Sequence, residues 1–166
     1  MNNECDMMTV TTIEEYYKNK FLSLHKDLFS NPKTISNVED LFALPEQSVQ
    51  SLVIDKVLNV SYDYGSVVEA IEQALVPGGA AICFAMAIVP AASGERLWGF
   101  TQASLQYIFK KYFDLENISI TSYGNALAGR LCLEGIIAGQ VDSSKIDVVD
   151  QYFPVVLAVV AVKKSS

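Results

Sequence analysis

The stretch from Asp40 to Met86, DLFALPEQSVQSLVIDKVLNVSYDYGSVVEAIEQALVPGGAAICFAM, constrains the fold of this chain more than any other. Two apolar runs, Ser51–Leu58 and Ala80–Met86, read as buried strands. Between them, Gly65–Val76 places Val67, Val68, Ile71, Ala74 and Leu75 on one helical face and Glu69, Glu72 and Gln73 on the other. Pro77 cannot continue a helix, and Gly78-Gly79 allow the positive φ that turns the chain back. The pattern predicts a strand–helix–strand crossover, the unit of a parallel sheet.

The rest of the chain extends that unit. Thr11 or Thr12 caps a helix with Glu14 and Glu15 in its first turn, where the helix dipole favours them. Its apolar positions Ile13, Tyr16, Tyr17, Phe21, Leu24 and Leu28 run to about Phe29, and Asn31-Pro32 stops it. Thr34–Val38 is a short β-prone run. Thr101 caps a helix over Gln102–Tyr112, Ile118–Ser122 is a strand, and Asn125 caps a helix of small residues reaching about Gly139. Val155–Val162 is a final buried strand. These elements make one domain, with residues 1–32 as an N-terminal helical segment and 33–166 as the sheet-bearing part.

Composition narrows the function. Half of the residues (51%) are hydrophobic and only 19% are charged, as in a globular domain. The net charge of −7 opposes sequence-independent nucleic-acid binding, which needs a basic surface. The three cysteines, Cys5, Cys83 and Cys132, are widely spaced, and His25 is the only histidine, so no zinc-ligand pattern exists and no metal is expected. Unpaired cysteines fit the cytoplasm. The acidic N-terminus lacks the basic region of a signal peptide, and no apolar tract reaches the ~20 residues of a membrane span.

Ligands of open α/β sheets sit beyond the carboxyl ends of the strands. Asp55, Lys56 and Asn59 lie at such an end, with Tyr62 and Tyr64 on the loop that follows. They either face a pocket or form an ordinary ion pair at a strand end.

The ordered series Asp40, Leu44-Pro45, strand, helix, Pro77-Gly78-Gly79, strand resembles the second half of a class I S-adenosylmethionine-dependent methyltransferase, and more narrowly the methyltransferase type 11 group. Leu97-Trp98-Gly99-Phe100-Thr101 is similar to the family's Tyr-Trp-Arg-Phe-Thr, and Tyr123-Gly124-Asn125 and the closing Val162-Lys163 extend the likeness from about Val38 to Lys164. The resemblance implies a Rossmann-like sheet, mostly parallel with an antiparallel C-terminal strand and helices on both faces. It implies that Asp40, with Leu41 beside it, lies near the adenine of the cofactor. It also implies that the loop carrying Trp98 contributes to an acceptor pocket, and Tyr62, from its place after the strand end, is the other candidate to contact the acceptor. The cofactor would be S-adenosylmethionine; no catalytic residue is singled out.

The same resemblance marks a difference. The family's cofactor anchor is an acidic-x-Gly-x-Gly turn ahead of this region, yet the first glycine of the chain is Gly65. The expectation is a shortened methyltransferase sheet, not catalytic alone, acting as an interaction or regulatory subunit or surviving as a remnant. The alternative is an active methyltransferase for a small-molecule or glycan-related acceptor, completed by a partner chain. In the family's strand order, 3-2-1-4-5-7-6, losing strands one and two opens an edge of Ser51–Leu58. Three arrangements would close it: direct pairing with Thr34–Val38, cover by the N-terminal helix, or a partner, either a second copy or a complete methyltransferase.

Overall fold

The structure, a computed structural model, describes residues 11–26, 29, 31–88 and 96–165. Among the described residues, five strands form one open sheet: β1 (Lys33–Ile35), β2 (Val49–Asp55), β3 (Leu75–Met86), β4 (Ile118–Tyr123) and β5 (Val156–Val162), in the order β1-β2-β3-β5-β4. β1, β2 and β3 are successively parallel, whereas β5 runs antiparallel to both β3 and β4. The crossover read from the sequence is therefore present, and so is the antiparallel last strand.

The β2 edge is closed from within the chain. Thr34 of β1 lies beside Val53 of β2, and Ile35 beside Ile54. Direct pairing is thus the arrangement adopted of the three that the sequence left open. It leaves no free β2 edge there for a partner to cover.

Alternation along the strands sends side chains to two helical layers. On one face, Leu52, Ile54, Ala81, Cys83, Leu157 and Val159 pack against Val67, Val68 and Ile71 of α4 (Tyr64–Ala74) and Leu105 and Phe109 of α5 (Gln102–Phe109). The short helices α2 (Val38–Phe42) and α3 (Val57–Val60) join this layer through Leu41, Val57 and Leu58. On the other face, Val53, Ile82, Phe84, Met86, Val156 and Ala158 meet Ile13, Tyr17 and Phe21 of α1 (Ile13–Leu24), Ala128 of α6 (Ala126–Leu133) and Ile146 of α7 (Ser143–Ile146).

Helix starts follow the caps read from the sequence. Thr12 and Glu15 form a reciprocal capping box at α1, Thr101 caps α5, and Asn125 caps α6 while also donating to the carbonyls of Lys145 and Val148. The ends differ more. α1 stops at Leu24 rather than near Phe29, with His25 stacked on Phe21 as its C-cap. α6 stops at Leu133 rather than Gly139, because Gly135 takes a φ of 74° and turns the chain out.

Two boundaries move for backbone reasons. Val57 and Leu58 were expected to finish the β2 strand, but Lys56 adopts a φ of 65°, which ends the strand and starts α3. Pro77-Gly78-Gly79 was expected as a turn before β3. It lies instead inside β3, where the register with β2 shifts between Val49 and Ser51. A Cβ on Gly79 would sit 2.8 Å from the Val76 carbonyl oxygen and 3.1 Å from that of Gln50, so the two strands can approach only at glycine.

Candidate functional site

The carboxyl ends of β1 and β2 open into a cavity of about 900 Å³. Ser36, Asn37 and Glu39 line it from the β1–α2 turn, Lys56 from the end of β2, Ser61, Tyr62 and Asp63 from the α3–α4 loop, and Arg96 from the segment before α5. This is where an open α/β sheet places its ligands.

Lys56 and Arg96 of this lining belong to a cluster of charges that reaches across three elements. Glu14 of α1, with a side chain only 8% exposed, accepts two hydrogen bonds from Arg96, Nη1 to Oε1 at 2.9 Å and Nη2 to Oε2 at 3.0 Å. The Lys56 ammonium lies 3.3 Å from Glu14 Oε2. One helical turn on, Lys18 donates to Asp55 Oδ2 at 2.7 Å. Burial pushes the Glu14 carboxyl upward, but Arg96 and Lys56 outweigh it and hold the group below its ordinary range. Hydrogen bonding to Glu14 in turn raises the Arg96 guanidinium. The Cys132 thiol, 3.8 Å from Glu14 Oε1, is pushed up to about 11 by burial and by that carboxylate, so it stays protonated and unreactive. Asp55 Oδ1 is buried with no hydrogen-bond partner among the described residues.

The residues singled out from sequence separate into groups. Lys56 and Tyr62 line the cavity, whereas Asp40, Leu41, Asp55, Asn59 and Trp98 lie outside its lining. Asp40 sits exposed in the first turn of α2, where its carboxylate accepts from Asn37 Nδ2 at 2.7 Å and its N–H donates to Asn37 Oδ1. Leu41 is a core residue. Asp55 forms the strand-end ion pair with Lys18. Asn59 is fully buried. Its Nδ2 donates to the carbonyls of Met86 and Trp98, and its Oδ1 accepts from the Met86 N–H. Trp98 donates from Nε1 to the Ser61 carbonyl at 2.8 Å and meets Tyr64 edge-on. Pro90–Gly94 and Glu95 of the expected acceptor loop fall outside the described residues.

Sequence reasoning missed Glu14, Lys18 and Arg96. One signal was available. Ile13, Tyr17 and Phe21 mark the buried stripe of α1 at intervals of four, and Glu14 and Lys18 flank it at the same interval, so two opposite charges enter the interior side by side. Arg96 carried no such signal, because its partner lies on α1.

The positions that the family would use for its cofactor do not converge. Asp40 is engaged by Asn37, Leu41 is in the core, and both donors of Asn59 are engaged by main chain. Among the described residues, no group of three or more His, Cys, Asp or Glu comes together as a metal site. No helix among them is long and apolar enough to cross a membrane.

No protein-family model matches the sequence. Nor does any curated protein match it. Solved structures do match the fold. A SAM-dependent methyltransferase from Archaeoglobus fulgidus aligns over 90% of this chain and 94% of its own length, with a TM-score of 0.57 and 9% identity. A SAM-dependent methyltransferase from Thermotoga maritima, described as a possible histamine N-methyltransferase, aligns over 92% of this chain and 91% of its own, with a TM-score of 0.54 and 9% identity. A possible exported protein from Bordetella parapertussis matches at 13% identity and a TM-score of 0.45; the aligned part covers 76% of this chain and spans 43% of that protein. At these identities the likeness is one of architecture, and it agrees with the strand order and the antiparallel β5: the chain has the fold of the class I S-adenosylmethionine-dependent methyltransferases.

Proposed function

We propose that this chain is a methyltransferase-like protein that does not transfer methyl groups by itself and acts as an interaction or regulatory subunit, or persists as a remnant. The observation that carries the reading is the Glu14 carboxylate, bound to Arg96 and Lys56 at the carboxyl ends of the strands, beside the Lys18–Asp55 pair. The two cations of the cavity lining, Lys56 and Arg96, are thereby paired by helix α1 of the same chain. A cofactor that recruited them would have to break partly buried pairs, each break costing about 3 kcal/mol or more. α1 cannot simply swing aside, because Ile13, Tyr17 and Phe21 are core residues. Unpaired Cys83 and Cys132 support a cytoplasmic setting.

The test is calorimetric titration of the purified chain with S-adenosylmethionine and S-adenosylhomocysteine, with the mass in solution measured alongside. The expected result is no binding by either ligand from a folded protein. The search for function then moves to a second copy or a complete methyltransferase as partner.

The cavity at the ends of β1 and β2 favours a second reading, an active methyltransferase for a small-molecule or glycan-related acceptor, completed by a partner chain. Its volume of about 900 Å³ is ample for such a ligand. Methyl transfer is a direct displacement in which positioning supplies much of the rate, so the reaction does not demand an acid–base pair. Micromolar binding of either ligand in the same titration would replace the first reading with this one.

A further inference from the structure

A second cavity, of about 340 Å³, lies between α1 and the sheet, on the face opposite α4 and α5. Successive turns of α1 line it with Lys18 and Leu22. The sheet lines it with Val53 and Phe84, both core residues, and with Asp55 at the end of β2. Thr34 of the edge strand β1 sits beside Val53, and Phe29 and Pro32 add apolar wall ahead of it.

The polar part of this wall is one ion pair with capacity left over. Lys18, only 8% exposed, donates to Asp55 Oδ2 at 2.7 Å. An ammonium carries three N–H donors, and Asp55 is the acceptor that Lys18 meets among the described residues. Asp55 Oδ1 is buried and accepts from no group. A donor and an acceptor therefore stand side by side in a largely apolar cavity, and polar capacity left unused in such a place costs stability.

The charges around the cavity cancel. Besides the pair, its lining carries Glu15 and Lys26, one of each sign, and Glu15 is engaged by the Thr12 N–H. His25, stacked on Phe21, donates from Nδ1 to the Phe21 carbonyl at 2.9 Å. Neither an anion nor a cation is selected by net charge. What the wall offers is a matched donor and acceptor, and a planar amide edge supplies the complement: one N–H and one C=O on the same side.

We infer that this cavity binds a small neutral carboxamide or lactam with an aromatic body. The ligand N–H donates to the Asp55 carboxylate, its carbonyl accepts from the Lys18 ammonium, and its ring lies against Leu22, Val53 and Phe84. A carboxylate in the same place duplicates the acceptor and meets Asp55 as a like charge. An ammonium duplicates the donor and meets Lys18 as one. The volume is near the lower end for ligand sites and suits one or two rings. The site is independent of whether the chain transfers methyl groups.

The test titrates the full chain with benzamide and 2-pyridone, with benzoate, benzylamine and benzyl alcohol as comparisons, at about pH 8, above the ordinary imidazole range. The readouts are calorimetry and the backbone amide shifts of residues 15–26, 33–34 and 53–55. Benzamide and 2-pyridone are expected to bind with dissociation constants of about 1 mM or below, and each comparison compound about tenfold more weakly or not at all. Asp55→Asn keeps the shape of the side chain but frees Lys18 of its counter-charge. It should weaken benzamide by about tenfold and strengthen benzoate, reversing their order. Thr34→Phe, at an exposed β-strand position that tolerates an aromatic residue, fills the cavity from its edge and should abolish binding of both amides. The inference is overturned if neither amide binds, if benzoate or benzylamine binds the unaltered chain as well as they do, if the shifts fall outside the named residues, or if folded Thr34→Phe binds them unchanged.

Discussion

Glu14 and Arg96, 82 positions apart in the chain, meet in a two-bond ion pair of 2.9 and 3.0 Å that ties the first turn of α1 to the segment entering α5. The pair bridges two segments on either side of the parallel crossover, and both of its side chains are largely buried, at 8% and 14% exposure. A contact of this kind is costly to break from one side, because the remaining charge stays buried without its partner.

Glu14→Gln should therefore destabilise the protein by about 3 kcal/mol at neutral pH, the lower end of the range for one-sided breakage of a buried pair. Urea denaturation measures it through the midpoint at unchanged slope. Arg96→Met combined with Glu14→Gln should cost less than the two single changes added together, because the more buried of the two cations that Glu14 pairs is gone in the double variant.

The same carboxylate makes the protein acid-sensitive. Its folded value lies below its ordinary 4.5, since Arg96 and Lys56 outweigh the effect of burial. A depressed carboxyl contributes its full stabilisation above its unfolded value and loses it as pH falls through the folded one. Stability should thus decline below a pH of about 4.5. The decline should be shallower in Glu14→Gln, where only the other depressed acids, such as Asp147 beside Lys20 and Tyr16, remain to titrate. Denaturant midpoints between pH 3 and 7 in the two proteins, roughly the carboxylate range, compare the slopes.

Asn59→Ala should cost about 3 kcal/mol, because it strips hydrogen bonds from the Met86 N–H and from the carbonyls of Met86 and Trp98 in a fully buried site. Trp98 is the only tryptophan and is held to the same clip, so its emission reports the site directly. A red shift in the folded variant is expected. Unchanged emission and stability would show that the clip is dispensable.

Gly79→Ala should destabilise by about 2 kcal/mol or more, because the new methyl meets the main-chain oxygens of Val76 and Gln50 rather than a side chain that can move. Gly139→Ala is the control: a Cβ there meets nothing within 4 Å. Its effect should stay within about 0.5 kcal/mol. Thermal denaturation of the two variants side by side distinguishes close strand approach from a general intolerance of alanine.

Local chemistry made much of this fold legible. α4 is amphipathic over its length, β5 is apolar at nearly every position, and Thr12, Thr101 and Asn125 are side-chain caps whose bonds close within three residues. Each of these features depends on neighbours in sequence, so periodicity and residue type suffice to find them. The errors fall where the backbone departs from what the residue type favours. Nothing in the letter Lys marks position 56 for a positive φ, and so Val57 and Leu58 read as strand although they form α3. Pro77-Gly78-Gly79 reads as punctuation, yet its glycines serve a register shift within one long strand.

By itself the sequence determined a parallel crossover, because alternation, amphipathicity and capping are properties of short windows; the antiparallel direction of the last strand was implied by the resemblance alone. Only the tertiary structure decided that β1 closes the edge of β2, and that Glu14 and Lys18 neutralise the charges at the strand ends. Those outcomes depend on pairing across the chain: Glu14 with Arg96, Lys18 with Asp55, Thr34 beside Val53. A charge at one position carries no record of the distant partner that will share its burial.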